Sequence, residues 1–253
     1  PELMKLRALQ ILQESTPESL KTAREKLEHV IKLEPTAVDA HIVLIRIAMQ
    51  EGDYHAARDS AIRALGSNQD NSALLLARGK AELAMENSQM AAELAHLVLQ
   101  KDPNNTEAQD VLVATALSSK DRSLLEEART LIESAITSDP NNEKLLLSRA
   151  RVLVSMELPQ TAIPELETYC QTKEGSSSVA AIVTLADLYR LSGDVKQAEE
   201  KIEQAERIDP NRQTVVHARF LLLVSQKRLE ELAGISSAYL SAKDQNPMIV
   251  LTA

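Results

Sequence analysis

Residues 179–210 read VAAIVTLADLYRLSGDVKQAEEKIEQAERIDP, and this stretch decides the fold. Val179 to Leu191 is apolar on a helical period, so Leu185, Ala186 and Tyr189 fall on one inward side. Ser192–Gly193–Asp194 breaks the run, and Gly193 supplies a backbone conformation that few other residues tolerate. A second amphipathic run follows, with Ala198, Ile202 and Ala205 on its apolar stripe and carboxylates opposite. Pro210 ends it, because the residue before a proline is pushed away from helical backbone. The stretch predicts two antiparallel helices joined by a tight turn.

Working outward, the same punctuation recurs. Pro35, Pro103, Pro140 and Pro210 close KLEP, QKDP, TSDP and RIDP, spaced 68, 37 and 70 residues apart. Those spacings are two units of 34, one unit plus three residues in the loop SSKDRS, and two units with a small insertion. Twelve residues before each of these marks, and before the matching unit ends that lack a proline such as Gln69, stands Ala23, Ala57, Ala91, Ala128, Ala162 or Ala198, with Leu232 in the last unit. Five before it stand Val30, Ala64, Val98, Ala135, Tyr169, Ala205 and Tyr239. Small residues at such points let two helices approach closely, where a large side chain would overpack.

This pattern resembles the tetratricopeptide repeat family, whose unit is small at its eighth position, Tyr-like at the eleventh, Ala at the twentieth and Pro at the thirty-second. The Trp often found at the fourth position is missing from every unit. The resemblance implies an all-α fold, an α-α superhelix (solenoid) of about seven stacked helix-turn-helix hairpins. The units are 4–37, 38–71, 72–105, 106–142, 143–178, 179–212 and 213–246, and PMIVLTA at 247–253 reads as the start of an eighth. Residues 1–253 are thus expected to be one array. The absent initiator Met and the closing helical stretch give the expectation of a segment from a longer protein. Three departures are plain. Glu86 and Glu157 stand where the turn glycine belongs. Pro164 falls inside a second helix, where it is expected to kink it. TKEGSSS, residues 172–178, reads as a flexible joint.

Composition fits a protein of many thin helix contacts. Hydrophobic residues make 44% of the chain but aromatics only 2%, so Ala, Leu, Ile and Val fill the core. The net charge of −9 argues against nucleic acid or an anionic membrane as the main partner, since both need clustered Lys and Arg. It also argues against a pentatricopeptide array, whose groove reads RNA. No apolar run approaches the ~20 residues of a membrane-spanning helix. Cys170 is the single cysteine, which excludes an internal disulfide and fits a cytoplasmic or a periplasmic setting. The compartment is not read from these residues.

Sites of chemistry are not expected. There is no HExxH, GxGxxG, GxxxxGK[ST] or GxSxG. His29, His41, His55, His96 and His217 lack metal-ligand spacing, and Cys170 has no histidine near it in sequence. The reading is a chain that is not an enzyme and needs no cofactor or metal.

The family resemblance puts first helices on a concave face. Carried over residue by residue, it gives a candidate partner-binding groove of Ile42, Val43, Arg46, Leu76, Lys80, Leu83, Val111, Leu147, Arg151 and Val183. Its centre reads as apolar, which marks either an exposed binding site or residues packed into the core between neighbouring first helices. Arg46, Lys80 and Arg151 add a sparse basic line suited to a carboxylate-bearing segment. Chaperone-tail binding within the family uses Lys and Asn at fixed positions. Ala8, Leu12, Val43, Ala73 and Ala77 stand there instead, so that ligand is not expected. The expected function is a non-catalytic scaffold that binds a partner peptide or protein in the groove. The alternatives are a self-associating scaffold, or the interaction arm of a larger enzyme or of a bacterial secretion, envelope or polysaccharide-export assembly.

Overall fold

The computed structural model describes residues 17–234. The expected first helix of unit 4–37, the close of unit 213–246 with Tyr239, and the start of an eighth unit at 247–253 lie outside the described residues. Within them the secondary structure is helical throughout. In chain order the helices are α1 (Pro17–Leu33), α2 (Val38–Gln50), α3 (Tyr54–Leu65), α4 (Ser72–Ala84), α5 (Ser88–Lys101) and α6 (Thr106–Ser119). Then come α7 (Arg122–Ser138), α8 (Glu143–Ser155), α9 (Ile163–Cys170), α10 (Val179–Leu191), α11 (Val195–Ile208) and α12 (Gln213–Ser225). Residues 229–234 are helical again.

Local chemistry sets these boundaries. Asp53, Asn71, Asn105, Asn142, Ser178 and Asp194 each accept a hydrogen bond from the backbone N–H three residues on, satisfying a donor the first helical turn leaves free. Five of the turns inside the hairpins, though not the one between α6 and α7, share one closing bond, in which a backbone N–H reaches a carbonyl five residues back. It joins Asp53 to Ala48, Asn87 to Glu82, Leu158 to Leu153, Asp194 to Tyr189 and Arg228 to Leu223. That closure needs a left-handed residue. Gly52 and Gly193 supply it at φ 74° and 86°, and Glu86, Glu157 and Lys227 adopt it at 63°, 63° and 59° despite their side chains.

The chain forms two compact units, Pro1–Leu131 and Ile132–Ala253. In the first, α2 and α3, and α4 and α5, are antiparallel hairpins stacked side by side. Ala57, Ala61 and Ala64 of α3 are fully buried, and Ile45, Ala48, Leu74 and Ala81 complete the cluster. Leu75, Leu94, Ala95, Val98, Ala108 and Leu112 continue the core between α4, α5 and α6. In the second unit one cluster runs from Leu146 through Leu166, Ile182, Leu185 and Ile202 to Leu222.

Two expectations change on this evidence. Pro164 does not interrupt a helix. It stands in the first turn of α9, where no helical N–H is required, and a 3₁₀ turn at Pro159–Ala162 precedes it. The second helix of that hairpin is therefore short. The expected loose joint at 172–178 is a tightly packed turn. Thr172 Oγ1 donates to the Tyr169 carbonyl at 2.7 Å and accepts from Gly175 N–H at 3.0 Å. A Cβ on Gly175 would stand 2.0 Å from the Tyr169 carbonyl oxygen.

Gly175→Ala is therefore expected to cost ~1–3 kcal/mol by overpacking, seen as a lower thermal midpoint. Glu86→Gly and Glu157→Gly are expected to gain ~0.5–1 kcal/mol each in denaturant unfolding, since left-handed backbone strains a non-glycine residue. A loss at either site would mean that the glutamate side chain outweighs its backbone strain.

Candidate functional site

The first helices of the hairpins present a regular exposed line. Residues two, nine and thirteen from each unit start face solvent in the first unit: Asp39, Arg46 and Gln50 on α2, then Ala73, Lys80 and Ala84 on α4. Glu107, Ala114 and Ser118 follow on α6. The half-buried Ile42, Met49, Ala77, Leu83 and Leu117 flank this line. The surface is thus a polar and small-residue strip with apolar shoulders.

That corrects part of the expected groove. Val43, Leu76 and Val111 are core residues, 5%, 1% and 3% exposed. Helical geometry explains the two valines. The sixth position lies beside the third and the tenth, and Ala40, Ile47, Ala108 and Thr115 there are all buried. Leu76 is packed in one cluster with Leu94 and Val111. A charged residue at Leu76 would test folding, not binding. In the second unit Leu147 and Val183 are half-buried against the core, and Arg151 is exposed, its guanidinium donating to Ser148 Oγ at 3.5 Å.

The basic line is also less uniform than the sequence implied. Lys80 Nζ lies 2.6 Å from Glu107 Oε1, an ion pair that joins α4 to α6. Both side chains are about half exposed, at 48% and 56%, so the pair contributes no more than ~1 kcal/mol. Arg46 makes no ion pair among the described residues. In the second unit, Asp187 stands at the ninth position of α10 and is held by Arg190 at 2.8 and 2.6 Å. The Asp187–Arg190 pair is three residues apart on one helix and legible in the sequence, whereas Glu107 meets Lys80 only through the packing of α6 against α4.

Comparison with known proteins bears on what these hairpins are. A tetratricopeptide repeat profile matches residues 42–106, and another matches residues 179–212. The chain carries tetratricopeptide repeats. No curated protein matches the sequence. A tetratricopeptide repeat protein from Parabacteroides merdae superposes with a TM-score of 0.76 at 16% identity, covering 97% of this chain and 94% of that one. PilW, a type IV pilus biogenesis factor, gives 0.67 at 13% identity over 85% of this chain and 97% of its own. YrrB, a tetratricopeptide protein with an unusual peptide-binding site, gives 0.53 at 13% over 76% and 97%. At these identities the likeness is one of fold.

One cluster in this tetratricopeptide array gathers titratable groups: Tyr169, Cys170 and Tyr189 with Glu143 and Glu167. Tyr169 Oη donates to Glu143 at 2.8 Å, and Tyr189 Oη donates to Glu167. Burial, then the neighbouring carboxylate, pushes Tyr169 up to about 12 and raises Tyr189 further. Burial also pushes the Cys170 thiol up, against the nearby Lys201 charge. A thiol held protonated is a poor nucleophile, so the cluster reads as structural packing of the α8–α10 core. No group of three or more His, Cys, Asp or Glu among the described residues is placed to hold a metal ion. No helix among them is long and apolar enough to cross a membrane.

The tyrosine shift gives a pH dependence with a definite sign. A folded-state value raised above the ordinary 10.0 means the fold favours neutral Tyr169. Its contribution is full below pH 10.0 and is lost as pH rises through about 12. Alkaline unfolding followed by circular dichroism is expected to begin in that window, and Tyr169→Phe to flatten the loss there while lowering stability at neutral pH.

Proposed function

We propose that this chain is a protein-interaction scaffold whose exposed first-helix line takes a partner segment. Tetratricopeptide folds generally serve as non-catalytic scaffolds, and YrrB has a peptide-binding site. The observation that carries the reading is the strip on α2, α4 and α6. There an exposed Arg46 without an ion-pair partner among the described residues stands level with Lys80, between the half-buried Ile42 and Leu83. Such a strip suits a segment with a carboxylate for Arg46 and apolar side chains for the shoulders. A second carboxylate can take Glu107's place at Lys80, because an exposed ion pair holds its partner weakly. In the second unit, taken by itself, Leu147, Arg151 and Val183 are proposed as contact residues of that unit's own first helices.

A peptide library displayed against the folded chain tests it. Enriched peptides are expected to combine Asp or Glu with Leu or Ile. Arg46→Glu is expected to weaken the best of them roughly 10-fold or more, through loss and reversal of one charge contact. Arg122→Glu, an exposed site outside the strip, leaves binding unchanged. Enriched peptides indifferent to Arg46 and to Lys80 would place the site elsewhere.

A further inference from the structure

The seventh residue of successive first helices alternates: Leu44, Arg78, Leu112, Arg149, Leu185, Arg219. The third residue, one turn earlier on the same face, alternates in the opposite sense between Ala and Leu or Val. The core thus repeats every two hairpins, although each hairpin has the same outline. The exposed line does not follow this longer period.

In the second unit the seventh-position arginines join neighbouring hairpins. Arg149 on α8 reaches Glu133 of α7 at 3.3 Å and Glu165 of α9 at 2.6 Å. Arg219 on α12 grips Glu206 of α11 with two bonds, at 2.9 and 2.7 Å, and Glu199 of α11 at 3.5 Å. Both side chains are largely buried, at 10% and 15% exposed. The fit is not optimised for stability, since Arg149 Nε is buried without a hydrogen-bond partner. In the first unit Arg78 turns to the buried Glu82 of its own helix, and the apolar contacts at α3–α4 and α5–α6 are made by Ala, Val and Leu.

Repeat arrays face a specific hazard. Hairpins of one shape can stack out of order, or onto a second copy of the chain. Apolar seams do not discriminate between such stacks. A buried guanidinium does, because it tolerates only a seam that supplies carboxylates. The position of Glu206, eight residues after the inward Ala198, is occupied in α9 by Cys170, eight after Ala162. An α12 that slipped by one hairpin onto α9 would find Cys170 in place of Glu206 and Ile163 in place of Glu199, losing both of Arg219's partners and meeting only Glu167, at the position Glu133 holds in α7. We propose that Arg149 and Arg219 are register keys, fixing which second helix each of their first helices settles on.

The test separates register from stability. In the full chain, Arg149→Leu with Arg219→Leu reproduces the side chain found at Leu185. Protein prepared without unfolding is expected to keep its helicity and to melt close to the parent. After unfolding in denaturant and dilution, its monomer peak in size exclusion is expected to lose most of its area to dimers and mixed species. Arg149→Lys with Arg219→Lys, which keeps the charges, is expected to restore a single monomer peak. Homogeneous refolding of the leucine variant overturns the proposal, whether or not its melting temperature falls. A parent chain that refolds to the same mixture overturns it equally.

Discussion

The approach of helix to helix at the inward alanines governs the rest of this structure. Ala23, Ala57, Ala91, Ala128 and Ala198 are fully buried and Ala162 nearly so. A methyl group is all that fits where the two helices of a hairpin meet their neighbours. Close approach compensates for a core with few aromatics, because short distances allow Leu, Ile and Val from adjacent hairpins to interdigitate. The same thinness means that no hairpin encloses a core alone. Each takes its stability from those beside it, and the first helices keep one side uncovered.

Those alanines make seams that are strong but alike, and the two units answer this differently. At the α3–α4 and α5–α6 seams no arginine side chain reaches across to a carboxylate of the neighbouring hairpin among the described residues, and Ala, Val and Leu make the apolar packing. Their cross-hairpin charges, Lys80 with Glu107 and Lys101 with Asp70, lie near the surface. The second unit carries charge and hydroxyl groups into its seams at Arg149, Tyr189 and Arg219. Buried polar contacts of this kind cost desolvation and return little net stability, so apolar side chains would hold the helices as well or better. What they supply is intolerance of the wrong neighbour.

Most of the hairpin plan was legible because it depends on local chemistry. Prolines, turn residues and Asn or Asp caps act within a few positions, and the 34-residue spacing brings them back in phase. Glu86 and Glu157 show how far this goes, since the turn keeps its left-handed geometry after the glycine is lost. The groove was less legible. A helical period shows which residues share a side, but the buried arc of these first helices is wide. Val43 and Val111 sit just inside its edge, and Ile42 just outside. Leu76 lies inside that edge as well, packed in one cluster with Leu94 and Val111. Pro164 was misread for a related reason. The proline rule is sound, but it depends on where the helix begins, and the 3₁₀ turn moved that start.

Loss of three apolar residues from the strip alters the recognition chemistry it can offer. A groove rich in exposed Leu and Val would bind any apolar helix. A strip with Arg46 and Lys80 between half-buried shoulders gains little from apolar contact alone, so charge must set the register of whatever lies on it. Glu107 then acts as an internal competitor. On the proposed reading it would occupy Lys80 until a ligand carboxylate displaced it, so that Lys80 would contribute less than Arg46. In a chain of net charge −9, a partner carrying a long acidic run would be repelled overall. The segment that fits is one with an isolated carboxylate or two set among apolar residues.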